Sequence, residues 1–458
     1  MKKIQLNYVQ FFLLSFVLIG LVAGPLAQGT TGSILGVVQD QSQAVLPGVT
    51  VTATSIETNQ SRTAISDDEG RYRLALLPVG PYEVQAELTG FSTEVRRPIN
   101  LTIGSEAVVN FTLGIGALTE RVVVTGEAPL VETSSAVTAG LVDDKKIRDL
   151  PLNGRDFVQL ALLQEGVVTS TKILRSQAGN SGIPLSLAGT RVHQSTFLLD
   201  GTDIRGSRGT VPAGVGGAVS GVESVKEFKV ITGAFSAEYG RFTGGVITAV
   251  TKSGTNALHG SVYEFHRNSA LDARNFFDRD PTNPERSDVP AFKRNQFGFS
   301  LGGPIVPNKT FFFGSFEGLR ERLSETHIAN VPSEAARAGQ LQVFIPFPPP
   351  GGLQTIPVAP NMQPFIDLIP LPNDADRDND GIARLFSVER QPTNQELFNI
   401  RIDHEFSDSD SFFARYTLDQ SEKRIFESYQ TDLLFDYRYQ YLTLSEKHIF
   451  SPNVINEV

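Results

Sequence analysis

The stretch "SAEYGRFTGGVITAVTKSGTNALHGSVYEF" (residues 236–265) changes character halfway along its length. Its first half is an apolar segment interrupted by Gly240, Gly244 and Gly245, and its second half alternates apolar with polar residues and carries aromatic ones. Glycine inside a strand pattern marks a bulge or the close approach of another backbone. The stretch therefore predicts the end of one β-structure and the start of another.

Length and composition narrow the class of protein. A chain of 458 residues predicts two or three domains, because a domain usually has roughly 100–200 residues. The formal net charge of -10, without clustered Lys and Arg, argues against a nucleic-acid partner. The chain has no Cys, which excludes disulfides, thiolate nucleophiles and Cys-ligated metals.

The N-terminal segment is typical of a secretory signal peptide. Lys2 and Lys3 precede an apolar run at 11–24, and Ala27 offers a small residue for cleavage. A membrane anchor is the alternative, but the run is shorter than the roughly 20 residues that a spanning helix requires. We therefore predict a signal peptide at 1–27, so that any membrane role of the mature chain must be built from strands.

Residues 32–113 alternate apolar and polar residues between turn residues, as in "GSILGVVQD" and "RTAISDDEGRYRLALL", which predicts a small antiparallel sandwich. The segment resembles the carboxypeptidase regulatory-like domain, a transthyretin-like β-sandwich, and the resemblance implies no peptidase activity. Gly70 is expected at a tight turn, and Pro78 with Gly80 at the next hairpin. The acidic residues 67–69 fit a polar turn better than acid/base chemistry.

Residues 114–136 form a predicted linker around the short strand "RVVVTG". The β-branched strand is too short for a core of its own. It is either the last strand of the sandwich, or a loosely pairing linker, or an edge offered to another protein by β-strand addition.

Residues 137–254 mix strands with short helices, which predicts a small α+β domain. Here "VESVKEFKVITGAFSAEYGRFTGGVITAVTKSGTN" resembles the end of the plug domain of TonB-dependent outer-membrane receptors. "LPLNGRDF", "LLDG" and "HGSVYEFHRNSALDARNFF" resemble the Oar-like branch, whose members carry the regulatory-like sandwich ahead of the plug. The domain order supports the resemblance over nearly the whole mature chain.

The resemblance implies a periplasmic energy-transducing protein of the TonB type as partner. That partner would pull on the strand before the plug and open the plug at the expense of the proton gradient. The residues expected in the pulled segment are Arg121, Val122, Val123, Val124 and Thr125.

Residues 255–458 carry the pattern of a transmembrane β-barrel. Most of the 31 Phe residues lie beyond residue 260. In "FNIRIDHEF" (398–406) apolar residues alternate with polar ones, so that one face suits lipid and the other a wet lumen. The predicted strands are 259–268, 294–303, 310–323, 395–406, 411–424 and 439–450, with a seventh that begins near 455.

The connections between these strands alternate in length. The long ones are 269–293, 324–394 and 425–438, and the short ones are 304–309, 407–410 and 451–454. Outer-membrane barrels place short turns in the periplasm and long loops outside. TonB-dependent barrels have about 22 strands, so we expect the barrel to be incomplete and to continue beyond residue 458.

One long connection contains a possible calcium loop. Asp376, Asp378 and Asp380 stand at the first, third and fifth positions of an EF-hand-like pattern, with Gly381 at the sixth. The twelfth position is Ser387 rather than Glu, so a solvated acidic loop is the alternative. No cofactor is otherwise required.

No enzyme is predicted, because the six His are scattered and no nucleophile or dinucleotide motif is present.

We predict a TonB-dependent receptor in the outer membrane of a Gram-negative-type bacterium, in contact with membrane lipid. It would take up a scarce ligand such as a siderophore, cobalamin, glycan or peptide. The alternative is a surface structural or adhesion protein that binds extracellular macromolecules.

Overall fold

The computed structural model describes most of the chain: residues 30–116, 121–124, 137–150, 152, 154–169, 184–205, 221–233, 239, 243–273, 289–345, 352–376, 380–427, 431–451 and 454–458. The predicted signal peptide, together with Thr125 and Asp378 of the predicted sites, lies outside these residues. Within the described ranges, no helix is both long and apolar enough to cross a membrane. Strands dominate, which confirms the predicted mainly β fold.

The N-terminal part is the predicted sandwich of two sheets. Its strands are β1 (Gly32–Asp40), β2 (Thr50–Ser55), β3 (Ser61–Ile65), β4 (Arg71–Leu77), β5 (Gly80–Glu87), β6 (Thr93–Leu101), β7 (Glu106–Val108), β8 (Phe111–Leu113) and β9 (Arg121–Val124). One sheet has the order β4-β1-β7, with β8 also paired to β1. The other has the order β3-β2-β5-β6-β9. We call these residues the sandwich.

Alternation along the strands builds the core of the sandwich. Every second residue of β1 from Gly32 to Val38 is buried, and those between are half-buried. At Gly70 the φ angle is +71° and an added Cβ would lie 2.7 Å from the Val38 carbonyl oxygen, so this turn requires glycine, as predicted. Pro78 and Gly80 flank a crossover between the two sheets, not the predicted hairpin, because β4 and β5 belong to different sheets.

The middle of the chain forms a separate, mixed sheet, which we call the inner domain. Its strands are β10 (Thr138–Val142), β11 (Val167–Thr169), β12 (Leu185–Leu187), β13 (Thr196–Leu199), β14 (Thr202–Asp203), β15 (Val225–Gly233) and β16 (Val246–Thr251). The sheet order is β10-β15-β16-β13-β14, with β13 parallel to β16, and β11 pairs with β12 separately. The predicted strand before "KSGTN" is thus a central strand of this sheet.

Short helices cover the inner sheet. Helix α1 (Asp144–Asp149) begins after Asp143, whose side chain accepts a hydrogen bond from the Lys146 backbone N–H, as an N-cap residue does. A 3-10 helix at Phe157–Leu163 follows, and shorter ones lie at Val192–Gln194 and Val222–Ser224. Ile147, Phe157 and Phe228 belong to one buried apolar cluster that joins helices and sheet.

The C-terminal half is a single antiparallel sheet of seven strands, which we call the wall. Its strands, each paired with the next, are β17 (His259–Asn268), β18 (Phe292–Val306), β19 (Thr310–Pro332), β22 (Ile382–Ser407), β23 (Asp410–Glu427), β24 (Thr431–Ser451) and β25 (Val454–Glu457). All seven predicted strands are present. The long connection between β19 and β22 contains β20 (Leu341–Ile345) paired with β21 (Gly352–Ile356), α2 (Glu334–Arg337) and α3 (Gln363–Leu368).

The two faces of the wall have the polarity expected of a membrane barrel. Phe398, Ile400 and Ile402 are 37–39% exposed, whereas Asn399 between them is 4% exposed. The polar face packs against the inner domain, and the apolar face is the one left open. A sheet of a water-soluble protein buries its apolar face and exposes its polar face, whereas the wall does the opposite. Strands that face lipid have this polarity.

The predicted loop lengths need correction. The short turn between β22 and β23 is present, at 408–409. The predicted long loop 425–438 is instead strand on both sides, since β23 continues to Glu427 and β24 starts at Thr431. Likewise β19 and β22 remain paired from Thr310 as far as Pro332, far beyond the predicted end at 323. Continued pairing satisfies backbone N–H and C=O groups, so these hairpins extend past the lipid-facing segment.

Candidate functional site

Strand β9, which holds four of the five residues predicted to be pulled, lies on the edge of the sandwich. It pairs in parallel with β6, with Thr93 opposite Arg121 and Val95 opposite Val123. This pairing corresponds to the alternative in which the short strand of the predicted linker is the last strand of the sandwich. Among the described residues β9 has a neighbouring strand on one side only, so it is the end strand of its sheet.

The sandwich rests against the inner domain. Val79 and Ile103 pack with Val250 of β16 in a small buried cluster. The Lys226 ammonium donates to Glu57 Oε2 and to the Val79 carbonyl, both at 3.0 Å. These contacts combine apolar burial with charge-assisted hydrogen bonds, which are stronger than neutral ones.

A buried carboxylate of the inner domain also faces the sandwich. Glu227 Oε1 accepts a hydrogen bond of 2.5 Å from the Ile103 backbone N–H. Burial raises the pKa of Glu227 to about 7, against the opposing effects of that hydrogen bond and of Lys226. The contact between sandwich and inner domain therefore contains a group that titrates near neutral pH.

The sandwich also touches the wall. Lys447 Nζ donates to the Leu76 carbonyl at 2.9 Å, and Arg62 donates to the Asp408 carbonyl in the turn between β22 and β23. Asn59 Nδ2 donates to Asn308 Oδ1 at 3.0 Å in the preceding turn. The sandwich is thus fixed to the short-turn rim of the wall, the rim that barrels of this kind place in the periplasm.

A cavity of about 120 Å³ remains between sandwich, inner domain and wall. Side chains of both charge signs line it, among them Glu57, Lys226, Arg401 and Lys447. A polar cavity of this size has room for several water molecules. It gives the groups at the three-way contact access to water.

Inner domain and wall are joined by a buried ion cluster around Asp200, which we call the Asp200 cluster. Asp200 Oδ1 accepts from the Thr251 backbone N–H at 2.9 Å and lies 3.2 Å from Arg401 Nη1. Asp200 Oδ2 lies 2.9 Å from Nε of Arg415, which is completely buried. Arg415 also donates to the Leu199 carbonyl and to Thr443 Oγ1. The wall here supplies the cations and the inner domain the anion.

A second cluster, the Arg155 cluster, has the opposite arrangement. Arg155 of the inner domain lies 3.0 Å from Glu223 Oε1 and 3.7 Å from Glu317 Oε2 of the wall. Tyr263 donates to Glu317 at 2.6 Å, and the Arg155 guanidinium sits over the Tyr263 ring at 4.2 Å. A cation–π contact of this kind adds to the ion pair. The inner domain thus presents an anion to cations of the wall at one point and a cation to an anion of the wall at the other.

Sequence reasoning did not find these clusters. The motifs "LLDG" and "LPLNGRDF" indicate a family resemblance, but they predict no role for Asp200 or Arg155. For Arg401, the alternation in "FNIRIDHEF" predicts only a position on the lumen-facing side of the strand. The sequence feature that could have predicted such a cluster is the set of charged residues on the inward face of that strand. Charged side chains that become buried need partners of opposite charge.

The predicted calcium loop is partly described. Asp376 Oδ2 accepts from the Gly381 backbone N–H at 2.9 Å, and Asp380 Oδ1 accepts from that of Ile382, also at 2.9 Å. Gly381 has a φ of +86°, as the sixth position of such a loop requires. Ser387, the twelfth position of the predicted loop, lies within β22 and is paired with His327. The last part of the predicted loop is therefore a paired strand. Calcium binding at Asp376, Asp378 and Asp380 remains a prediction.

Another group of possible metal ligands lies on the outward face of the wall near the short-turn rim. Ligand atoms of Asp410, Glu446 and His448 lie within 4.8 Å of one another. His448 is hydrogen-bonded to Asp410 Oδ1, and Ser407 and Ser409 donate to the other carboxylate oxygen. Protein partners thus account for the position of Asp410.

Comparison with known proteins gives two family matches. The model described as outer membrane beta barrel domain matches residues 250–458, and the one described as carboxypeptidase regulatory-like domain matches residues 33–114. A curated relative, the TonB-dependent transporter Oar of Myxococcus xanthus, is 30% identical over 320 residues. That match covers 68% of this chain and 29% of the relative, so the chain spans less than a third of the relative's length.

Two solved structures are also similar. The outer membrane transporter YddB of Escherichia coli is 14% identical with a TM-score of 0.44, over 69% of this chain and 37% of that one. The ferric enterobactin receptor PfeA of Pseudomonas aeruginosa is 14% identical with a TM-score of 0.40, over 69% of this chain and 39% of that one. At these TM-scores neither structure bears on the ligand of this chain.

Proposed function

Because residues 250–458 belong to the outer membrane beta barrel domain family and the chain is an Oar-like TonB-dependent transporter homologue, we propose that it serves energy-coupled uptake across the outer membrane. The family places the chain in that membrane. The curated relative is a transporter and not an enzyme, which agrees with the expectation that this chain catalyses no reaction.

In this proposal the inner domain is the plug. The observation that carries the proposal is that a folded domain is held against the polar face of the wall by two buried ion clusters of opposite arrangement. Such a domain obstructs the lumen, and buried ion pairs resist its removal, because taking away one partner leaves a buried charge uncompensated. Passage of a ligand therefore requires an energy source.

Strand β9 is the segment that we propose the energy-transducing partner binds. It precedes the inner domain in the chain by twelve residues and, in the described residues, ends a sheet. A periplasmic protein of the TonB type would bind it through backbone hydrogen bonds, as in β-strand addition. We call β9 the coupling strand from here on.

The test uses intact cells that express the full-length gene. They are offered a panel of ferric siderophores, cobalamin, oligosaccharides and peptides, with and without a protonophore. At least one compound is expected to accumulate only while the proton gradient is present, and its surface binding is expected to survive the protonophore. Accumulation that continues without the gradient contradicts the proposal. Binding of extracellular macromolecules without any uptake would support the adhesion alternative.

A further inference from the structure

A second cavity, of about 630 Å³, lies between the inner domain and the first two strands of the wall. The inner domain contributes the end of helix α1 and the segment that follows it, and the wall contributes β17 and β18. Cavities that bind small molecules usually measure about 300–1,000 Å³. This cavity therefore has room for an organic ligand, whereas the cavity of about 120 Å³ at the sandwich has room only for water.

Four guanidinium groups line the larger cavity, and Asp149 is the one acidic residue among its described lining residues. The four are those of Arg148, Arg155, Arg267 and Arg294. Each forms an ion pair, but the carboxylates concerned are not among the described lining residues; in the same order they are Asp144, Glu223, Asp272 and Glu321. A guanidinium group has five N–H donors, so one ion pair leaves donors for a ligand.

Aromatic rings position three of these guanidinium groups. The Arg155 guanidinium lies 4.7 Å from the centre of the Phe265 ring, and those of Arg267 and Arg294 lie 5.0 and 5.4 Å from the centre of the Phe292 ring. An arginine stacked on a ring still presents its N–H edge to a planar anionic group. Because the stacked groups are already ordered, a ligand that binds them loses little affinity to ordering side chains.

Arg155 is the least exposed of the four arginines. It is 9% exposed, and its Nε has no hydrogen-bond partner among the described residues. Glu317 Oε2 lies 3.7 Å from that nitrogen, which is beyond hydrogen-bond distance. A buried donor without a hydrogen bond is unfavourable, so an oxygen atom of a ligand in the cavity would supply the missing acceptor.

We infer that this cavity binds a small organic anion with several carboxylate or phosphate groups. Its oxyanion groups accept hydrogen bonds from the four arginines, and its carbon skeleton contacts Phe265 and Leu152 of the lining. A neutral oligosaccharide would leave the positive charge of the lining without a counterpart. The inference rests on the proposed function only in identifying this anion as the compound that is taken up.

The test uses the purified full-length protein and two probes of the same shape. Trimesate is a benzene ring with three carboxylates, and trimesamide carries a neutral amide in place of each carboxylate. Isothermal titration calorimetry is expected to show that trimesate binds at least about tenfold more tightly than trimesamide, since charge-assisted hydrogen bonds are stronger than neutral ones.

Arg148→Gln and Arg267→Gln each remove one cation from the cavity. Both side chains are 51% exposed, so the replacements should leave the fold intact. Each variant is expected to bind trimesate about fivefold more weakly and trimesamide as before. The matched control is Arg424→Gln. Arg424 is a 49% exposed arginine of the wall that is paired with Asp432 and is not among the described lining residues, so this variant should bind trimesate normally.

Equal affinity for the two probes, or no binding of trimesate, overturns the inference. Unchanged trimesate affinity in both cavity variants also overturns it, as does an equal loss in Arg424→Gln, because the affinity then does not come from the cavity.

Competition with trimesate separates the inference from the proposed function. A compound that accumulates in cells with the proton gradient but does not compete with trimesate overturns the inference and leaves the proposed function intact. Trimesate binding that is lost in the two cavity variants, in a protein that accumulates no compound, supports the site and contradicts the proposed function.

Discussion

The backbone N–H of Val123 is expected to matter more than its side chain. Val123→Pro removes a donor and fixes φ, which breaks strand addition, whereas Val123→Ala keeps the donor and loses only some β-propensity. In the full-length protein, gradient-dependent accumulation of a compound from the uptake panel should fall to background with Pro. It should stay within about twofold of the unmutated rate with Ala, since β-propensity differences span only about 1 kcal/mol.

Surface binding of the same compound is the control for Val123, because the proposed function places the strand in the periplasm and the ligand-binding surface outside. It should be unchanged in both variants. Uptake at the unmutated rate in the proline variant would mean that residues 121–125 are only a linker.

The charge of Asp200 is expected to hold the inner domain in place. Asp200→Asn keeps the shape of the side chain but leaves Arg415, which is fully buried, without its carboxylate. Removing one partner of a buried pair costs about 3–5 kcal/mol. The inner domain should therefore become protease-sensitive at a lower urea concentration than in the unmutated protein.

The matched control for Asp200 is Asp203→Asn. Asp203 pairs with Arg205 at 2.8 Å, and the two side chains are 37% and 19% exposed, against 2% and 0% for Asp200 and Arg415. Ion pairs near the surface contribute at most about 1 kcal/mol. A similar shift in the urea midpoint for both variants would show that the Asp200 cluster does not fasten the inner domain.

The sequence could not have identified the Asp200 cluster by local pattern. Asp200 and Arg415 are separated by more than two hundred residues, and alternation tells which face a residue occupies but not which domain lies against it. The predicted coupling strand was found because its composition and length stood out locally. Its pairing with β6 was left open, since one short β-branched strand fits several sheet edges equally well.

Among the elements, β22 offers a direct test of the lipid-facing side. Ile400 lies in the middle of the apolar face, and a Lys at the bilayer midplane of a barrel costs about 2–4 kcal/mol. Ile400→Lys should lower the fraction of full-length protein that inserts into lipid vesicles, measured by a urea titration of folding.

Position 382 on the same strand provides the control for Ile400. Ile382 is the first residue of β22, beyond the segment that faces lipid, and it is 51% exposed. Ile382→Lys is expected to leave insertion unchanged. An equal effect at both positions would contradict the assignment of the apolar face to lipid.

The strands themselves were largely predictable, and their ends were not. β17 was predicted with its observed bounds because its alternation stops where the strand stops. β19, β23 and β24 run beyond their predicted limits, since outside the lipid both faces of a strand meet water and the alternation disappears. What keeps those segments extended is pairing with a neighbour, which a single-strand pattern does not reveal.

At the scale of the whole molecule, docking of the sandwich is expected to depend on pH through Glu227. Its pKa is raised by burial to about 7, so the assembled protein holds a proton that an exposed Glu releases near pH 4.3. Stability is therefore fully present below that pH and falls as pH rises towards 7, by up to about 3 kcal/mol. The transition temperature in calorimetry should drop between pH 5 and pH 7.5.

The variant Glu227→Gln isolates this effect, because the amide oxygen can still accept from Ile103 but no longer ionises. Its transition temperature should change less between the two pH values than that of the unmutated protein. Lys226, Lys229 and Asp143 are the other charged side chains that influence the pKa of Glu227. Identical pH dependence in both proteins would rule out Glu227 as the titrating group.

The long pairing of β19 with β22 determines how far the connection between these two strands extends from the segment that faces lipid. Beyond Gly318 the hairpin continues for fourteen residues to Pro332. At about 3.4 Å per residue and a tilt near 45°, these fourteen residues carry its tip about 30 Å beyond Gly318 along the barrel axis. Helices α2 and α3 are carried at that height. In the proposed orientation, with the short turns in the periplasm, a diffusing solute or a neighbouring cell therefore meets these helices before it meets the lipid.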